Sequence, residues 1–285
     1  MKIMQDYSTH PAQRYLLIDF AKKVFNLDLT EWNDKGYWDT GYQPISFLDQ
    51  GKIVANVNLY YLEMIFAGKP IEIVQFSTVG TLPEYRKKGL SSHLLKEVIR
   101  LCKKKPIFLF ADYDAVPFYN KLGFEFQEEY KYYTKFSNSE RKEGLVRLNP
   151  EDKNHLNLIY DAAGKRTSIS DEIGVLNPKL IMFHALYTLR NNIFRIPQLD
   201  TIIFYRKHQN RLIIYDIIGA DVPDFSEILP YIMDNEISTA EFMFCPDKLN
   251  IPKIQTEVFT DNQLHFYNFL QLENRKFIFP FTSHA

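Results

Sequence analysis

The chain has 285 residues, 46% of them hydrophobic and 15% aromatic, enough for one large domain or two ordinary ones with packed cores. Lysines and arginines nearly balance the acidic residues, and a net charge of −1 excludes a global field for nucleic acid or an anionic membrane, so any basic site must be local. Two cysteines, Cys102 and Cys245, are too few for a disulfide scaffold or a cysteine zinc site.

The first ten residues hold no apolar stretch of the signal-peptide kind, and nowhere do eighteen apolar residues run uninterrupted. Neither secretion nor membrane spanning is expected, and a cytoplasmic location follows. In residues 11–25, Leu17, Phe20, Ala21 and Val24 recur at helical spacing, which predicts an amphipathic helix. Residues 27–41 mix Trp32, Tyr37 and Trp38 with charges and read as a short helix and loop whose rings pack over the core.

Residues 44–49 and 52–66 read as strands joined at Gln50-Gly51, and residues 67–70 turn the chain into a third strand, 71–79, giving an antiparallel meander. Asn56 and Asn58 share one face of the second strand and are expected to face solvent. Gly80 and Pro83 end the third. From Leu90 onward Leu94, Leu95, Val98, Leu101 and Cys102 keep helical spacing, so a helix begins just after Gly89.

Arg86, Lys87 and Lys88 then stand at the positive pole of that helix, where each cation costs roughly 0.3–1 kcal/mol. An anion in the turn would justify them. Backbone N–H groups around Lys88, Gly89, Leu90 and Ser91, with the hydroxyls of Ser91 and Ser92, could cradle a pyrophosphate. From this stretch alone a solvated basic loop fits equally well.

Pro106 stops the helix, and residues 107–111 suit a buried strand parallel to 71–79. Residues 116–122 form a short helix closed by Gly123, and 124–136 return as β structure. The polar segment 137–143 is the best linker, so the domains are divided into 1–137 and 138–285. Asn149-Pro150 and Asn177-Pro178 each open a helix, the first closing at Gly164. Residues 201–205 and 212–218 make a hairpin about Gln209-Asn210, a helix starts at Asp224, and 239–245 is a further strand. The second half thus echoes the first, giving an α/β protein with mixed sheets flanked by helices. Its turn, however, offers Asp224 and Glu227 as a capping box, which repels phosphate. Seven histidines (His10, His93, His155, His184, His208, His265 and His284) lack metal-ligand spacing, and no metal is expected.

Thr81, Pro83, Arg86, Gly89 and Ser91 resemble the coenzyme-A loop V-x-P-x-x-R-x-x-G-x-[GA] of GNAT-superfamily N-acetyltransferases, with Thr81 and Ser91 as departures. Residues 115–124, AVPFYNKLGF, resemble the same family's A-x-x-F-Y-x-x-x-G-F. The resemblance covers about the first half of the chain and implies a GNAT fold, with a degenerate GNAT-like second domain lacking the coenzyme loop. It implies transfer of an acetyl group from acetyl-CoA to a primary amine of a small molecule or peptide. Arg86, Lys87, Lys88, Gly89, Leu90 and Ser91 would hold phosphates, and Val79 and Thr81 the pantetheine arm, with the Val79 N–H as oxyanion donor. Tyr119 would be the general acid, because a phenol of pKa about 10 keeps its proton at neutral pH. Asp112 stands where the family has an asparagine beside the cofactor arm. Gln75 stands where some members have a glutamate, and an amide cannot take a proton, so it would orient the amine or a water. The base is open among Glu63, Glu72, water and the carboxylate of Ala285, which serves in relatives of the enhanced-intracellular-survival type and which a strand-like 277–281 could deliver. In GNAT proteins the region of Trp32, Tyr37 and Trp38 covers the acceptor side of the cleft, so these rings are alternative pocket walls. The rival reading is a non-catalytic, coenzyme-A-binding or ligand-sensing module. The acceptor, the acyl chain and a possible homo-oligomer stay open.

Overall fold

The computed structural model describes residues 2–5, 7, 10–137, 140–269 and 275–285. The first half runs β1 (Lys2–Met4), α1 (Pro11–Phe25), α2 (Thr30–Asp34), β2 (Tyr42–Asp49), β3 (Lys52–Phe66), β4 (Lys69–Thr81), α3 (Leu90–Leu101), β5 (Ile107–Phe110), α4 (Val116–Asn120), β6 (Glu125–Phe126) and β7 (Glu129–Lys135). The second runs β8 (Val146–Arg147), α5 (Lys153–Lys165), β9 (Ile173–Val175), α6 (Pro178–Leu186), β10 (Ile193–Ile196), β11 (Thr201–His208), β12 (Arg211–Ile218), α7 (Phe225–Ile232), β13 (Thr239–Phe242), β14 (Gln255–Phe259) and β15 (Leu264–Tyr267).

Two mixed sheets result. The first has the order β1-β2-β3-β4-β5-β15-β6, with β9 also on β3, and the second β14-β7-β13-β12-β11-β10-β8. Each holds one parallel pair, β4 with β5 and β12 with β13. A helix joins each pair, α3 in the first sheet and α7 in the second, as parallel neighbours require. The sheets also exchange strands: β7, from before residue 137, sits between β13 and β14, while β15 sits between β5 and β6. A cut at 137 would divide both sheets.

The strand period of two distributes the second sheet between two cores. Ile202 and Phe204 face the large core shared with the first sheet, whereas Ile203 and Tyr205 face a smaller one under α7. Of the expected linker, Asn138 and Ser139 lie outside the described residues, and the Lys142 N–H donates to the Pro230 carbonyl on α7 at 2.9 Å. Helix α5 starts later than Asn149-Pro150 suggested, because Asp152 is the cap, accepting from the Asn154 and His155 N–H groups at 2.7 and 3.2 Å. Asn149 instead closes a turn onto the Glu151 N–H. Helix α6 has Asn177 as its cap and Pro178 in its first turn, as expected. The segment at 277–281 forms no ladder; it is held by single backbone bonds, the Phe277 carbonyl accepting from the Tyr130 N–H at 2.7 Å and the Phe281 N–H donating to the Met243 carbonyl at 3.0 Å, and it ends in a 3-10 turn, Phe281–Ser283.

Candidate active site

A bulge in β4 is the feature around which the site is built. Pairing with β3 runs in register to Asn58↔Ser77 and resumes at Asn56↔Gly80, leaving Thr78 and Val79 outside the ladder, with Thr78 at φ +47°. Asn56 and Asn58, expected at the surface, are fully buried beneath it. The reason is the polar backbone that a bulge exposes. Asn56 Nδ2 donates to the Thr78 carbonyl at 3.0 Å, and Asn58 Nδ2 donates to Ser77 Oγ at 2.9 Å. Ser46 Oγ donates to Asn56 Oδ1 at 2.7 Å, and Tyr7 shares a 2.6 Å hydrogen bond with Ser46. Beyond Gln75↔Phe108 the parallel pairing of β4 and β5 stops, while β5 keeps β15 on its other edge as far as Phe110. A cleft is left at the bulge.

Two cavities meet there. An inner one of 260 Å³ reaches from Val79 and Tyr119 to Trp32 and Phe183, and an outer groove of 530 Å³ runs over Gly80, Thr81, Arg86, Lys87, Gly89, Leu90 and Ser91. Phe25, Val79 and Asp112 line both. Gly80 allows this approach, since a Cβ on it would lie 2.7 Å from Phe25 Cζ.

In the groove, Gly89 takes φ +76° as the cap residue of α3, a conformation that favours glycine. Helix α3 has neither a side-chain cap nor an acid in its first turn, whereas α5 and α6 are capped by Asp152 and Asn177. Helix α7 carries the expected capping box, with Glu227 accepting from the Asp224 N–H at 3.0 Å. The first N–H groups of α3 thus point into a basic groove without a side-chain acceptor. Arg86 Nε donates to the Thr81 carbonyl at 3.3 Å, and the Thr81 and Ser91 hydroxyls bond at 2.6 Å. Lys88 does not line the groove: its ammonium lies 4.7 Å from the Tyr85 ring centre. His93 is exposed beside Phe47 and lines neither cavity.

In the inner cavity Tyr119 is 7% exposed, and burial, with Asp112 nearby, raises its phenol well above the ordinary value, so it keeps its proton. Gln75 is buried and holds the last residue, accepting from the Ala285 N–H at 3.0 Å. The other side of that peptide, the His284 carbonyl, lies 2.9 Å from His184 Nε2, which must therefore carry the ring proton, leaving Nδ1 to accept from the Thr188 hydroxyl at 2.8 Å. Burial pushes His184 down to about 4, which keeps it neutral. The His284 ring stacks on Phe110 at 3.9 Å.

The segment before Ala285 is anchored to both halves. The Thr282 hydroxyl donates to Asp216, which Arg166 grips with two 2.9 Å bonds, and the Phe279 N–H donates to Glu129 at 2.7 Å. Glu63 and Glu72 line neither cavity. They pair across the far end of the β3–β4 ladder, exposed, with Glu72 bridged to Lys105. Trp32 lines the cavity and donates from Nε1 to the Lys179 carbonyl at 2.9 Å, while Tyr37 and Trp38 pack outside it. Tyr42, Tyr60, Leu180 and Phe183 complete the walls without a local sequence signal, since strands and α6 converge only in three dimensions.

The family model of the acetyltransferase (GNAT) domain matches residues 16–127, the stretch that carries the bulge, the groove and Tyr119. Residues 16–127 thus carry the match to the acetyltransferase (GNAT) domain family. The GNAT match ends before β7, and likeness to solved structures extends further. A probable N-acyltransferase from Enterococcus faecalis superposes with a TM-score of 0.59 at 17% identity, covering 93% of this chain and 71% of that one. A GCN5-related N-acetyltransferase from Kribbella flavida gives 0.53 at 16% identity, with 93% and 70% covered. Eis1 from Mycobacterium abscessus gives 0.54 at 12%, with 93% and 73%. At such identities the likeness is one of fold, and it spans the GNAT domain and the second sheet together. No curated protein matches in sequence.

Proposed function

We propose that the chain transfers the acetyl group of acetyl-coenzyme A to a primary amine of a small molecule or peptide. The observation that carries this reading is the meeting of a basic groove and an aromatic cavity at one bulged residue, Val79, with Tyr119 in the wall. Arg86, Lys87 and the N–H groups of Gly89, Leu90 and Ser91 hold the pyrophosphate, a role that the uncapped start of α3 supports. Val79 and Thr81 hold the pantetheine arm beside Asp112, with Lys88 contributing its charge from outside the groove.

The amine nitrogen attacks the thioester carbonyl carbon, the C–N bond forms and the C–S bond breaks. The carbonyl oxygen is stabilised by the Val79 N–H, Tyr119 gives its proton to the departing sulfur, and the proton released by the amine passes to a base. The products are an amide and a thiol. Gln75 cannot be that base, but it orients Ala285, and a chain that ends there carries a carboxylate at the cavity. The division of labour is between residues 1–137, which bear the coenzyme site and lend β7 to the second sheet, and 138–285, which lack the loop, supply α6 and the terminal segment, and lend β9 and β15 to the first. A cytoplasmic location suits an acetyl-CoA-dependent reaction.

Calorimetry with acetyl-CoA and thiol-release kinetics test the proposal. Arg86→Ala is expected to weaken binding about tenfold, the loss of one charged hydrogen bond. Tyr119→Phe should lower kcat by about 10²-fold or more with binding unchanged. A wild type that does not bind acetyl-CoA would refute the reading.

A further inference from the structure

The walls of the inner cavity bear on the kind of amine, if the proposed transfer is taken as given. On the side away from the coenzyme groove the lining is Leu29, Trp32, Tyr42, Tyr60, Leu180 and Phe183. Every polar atom on these side chains already has a protein partner. Trp32 Nε1 donates to the Lys179 carbonyl, the Tyr60 hydroxyl donates to Asp39 at 3.2 Å, and the Tyr42 hydroxyl pairs with Thr78 Oγ1 at 3.4 Å. Among the described residues the only side-chain carboxylate lining the cavity is Asp112, which also lines the groove and so faces the coenzyme side. At the bulge end Gln75 Oε1 and the Ala285 oxygen stand next to each other as acceptors for an amine, with the Ser77 and Thr78 hydroxyls in the same wall.

A polycation in this cavity would bury its second and third ammonium groups against aromatic and aliphatic walls with no counter-charge. A single amine at the Gln75 end would instead leave an apolar body against Trp32, Leu180 and Phe183, and 260 Å³ suits one ring or a fused pair. We infer that the acceptor is a primary monoamine with an aromatic body, of the phenethylamine or tryptamine kind, and that Phe183 is a specificity-determining residue.

The test is a thiol-release assay on the full chain with phenethylamine, tryptamine, spermidine and kanamycin, run with acetyl-CoA and hexanoyl-CoA and beside calorimetry of acetyl-CoA binding. The expected result is a kcat/KM at least about 10²-fold higher for the two arylalkylamines, in keeping with the penalty for unpaired buried charge. Phe183→Ala should raise the tryptamine KM about tenfold, as loss of one aromatic wall does, and leave the acetyl-CoA KM unchanged, with Phe183→Leu recovering part of the loss. Preference for spermidine or kanamycin would overturn the inference while leaving the transfer reading intact. So would faster turnover of hexanoyl-CoA that Phe183→Ala abolishes, because the cavity would then hold the acyl chain. Acetyl-CoA binding without acetylation of either arylalkylamine also overturns it. Absence of acetyl-CoA binding removes the transfer reading, and this inference with it.

Discussion

Glu129 offers the sharpest test of how the second half is locked to the first. Its carboxyl lies at the start of β7, 2% exposed, and burial raises it from the ordinary glutamate value of 4.5 to about 7, even though the Phe279 N–H and Asn262 Nδ2 donate to it at 2.7 and 3.0 Å. The folded state therefore holds a proton that the unfolded state releases above pH 4.5. By linkage, stability falls as pH rises from 4.5 through 7. At 1.36 kcal/mol per pKa unit the penalty above pH 7 is about 3 kcal/mol. Glu129→Gln keeps an acceptor for the Phe279 N–H and, with a turned Asn262 amide, a second hydrogen bond, but it cannot ionise. Urea denaturation of both proteins at pH 4.5 and pH 8 should show the variant gaining about 3 kcal/mol on the wild type over that interval. His184 and His284, neutral through burial and pushed down to about 4 and about 3, titrate in both proteins and cancel in the difference. A difference that does not change with pH would refute the reasoning.

Other outcomes follow from the same geometry. Asp216→Ala strands the Arg166 guanidinium in the core and frees Thr282, so chemical denaturation should report a loss of about 3–5 kcal/mol. Gly80→Ala drives a methyl against Phe25, a half-exposed ring that can yield into the space both cavities share; the acetyl-CoA KM should rise severalfold while the unfolding free energy changes by about 1 kcal/mol or less.

The elements with a strong local pattern were legible. Helix α3, with Leu94, Leu95 and Val98 buried, begins after Gly89 as its spacing predicts, and the β2–β3 and β11–β12 hairpins turn at Gln50 and Gln209, which both adopt positive φ. The bulge was not readable from β4 itself, because Thr78 and Val79 look like any strand residues. Asn56 and Asn58 in the neighbouring strand were the signal, and reading them as solvent-facing missed it, since alternation alone cannot tell a buried polar face from an exposed one. The loop and Tyr119 came from two short motifs, and the structure brings them together at Val79. Phe183, His184 and the coupling of Gln75 to Ala285 link residues a hundred or more positions apart, and nothing local encodes such contacts.

The exchange of β7 and β15 also has a consequence in time. On the ribosome β5 emerges with Phe108 and Phe110 along an edge that only β15 covers, and the synthesis of the whole second half intervenes. At about 5–20 residues per second that interval is on the order of ten seconds. During it β7 is also a lone ribbon awaiting β13 and β14. The nascent chain must therefore carry two unfilled strand positions at once, and neither sheet closes until the other is nearly complete. The open edge of β5 marks where a chaperone or a misfolding neighbour would engage the nascent chain first.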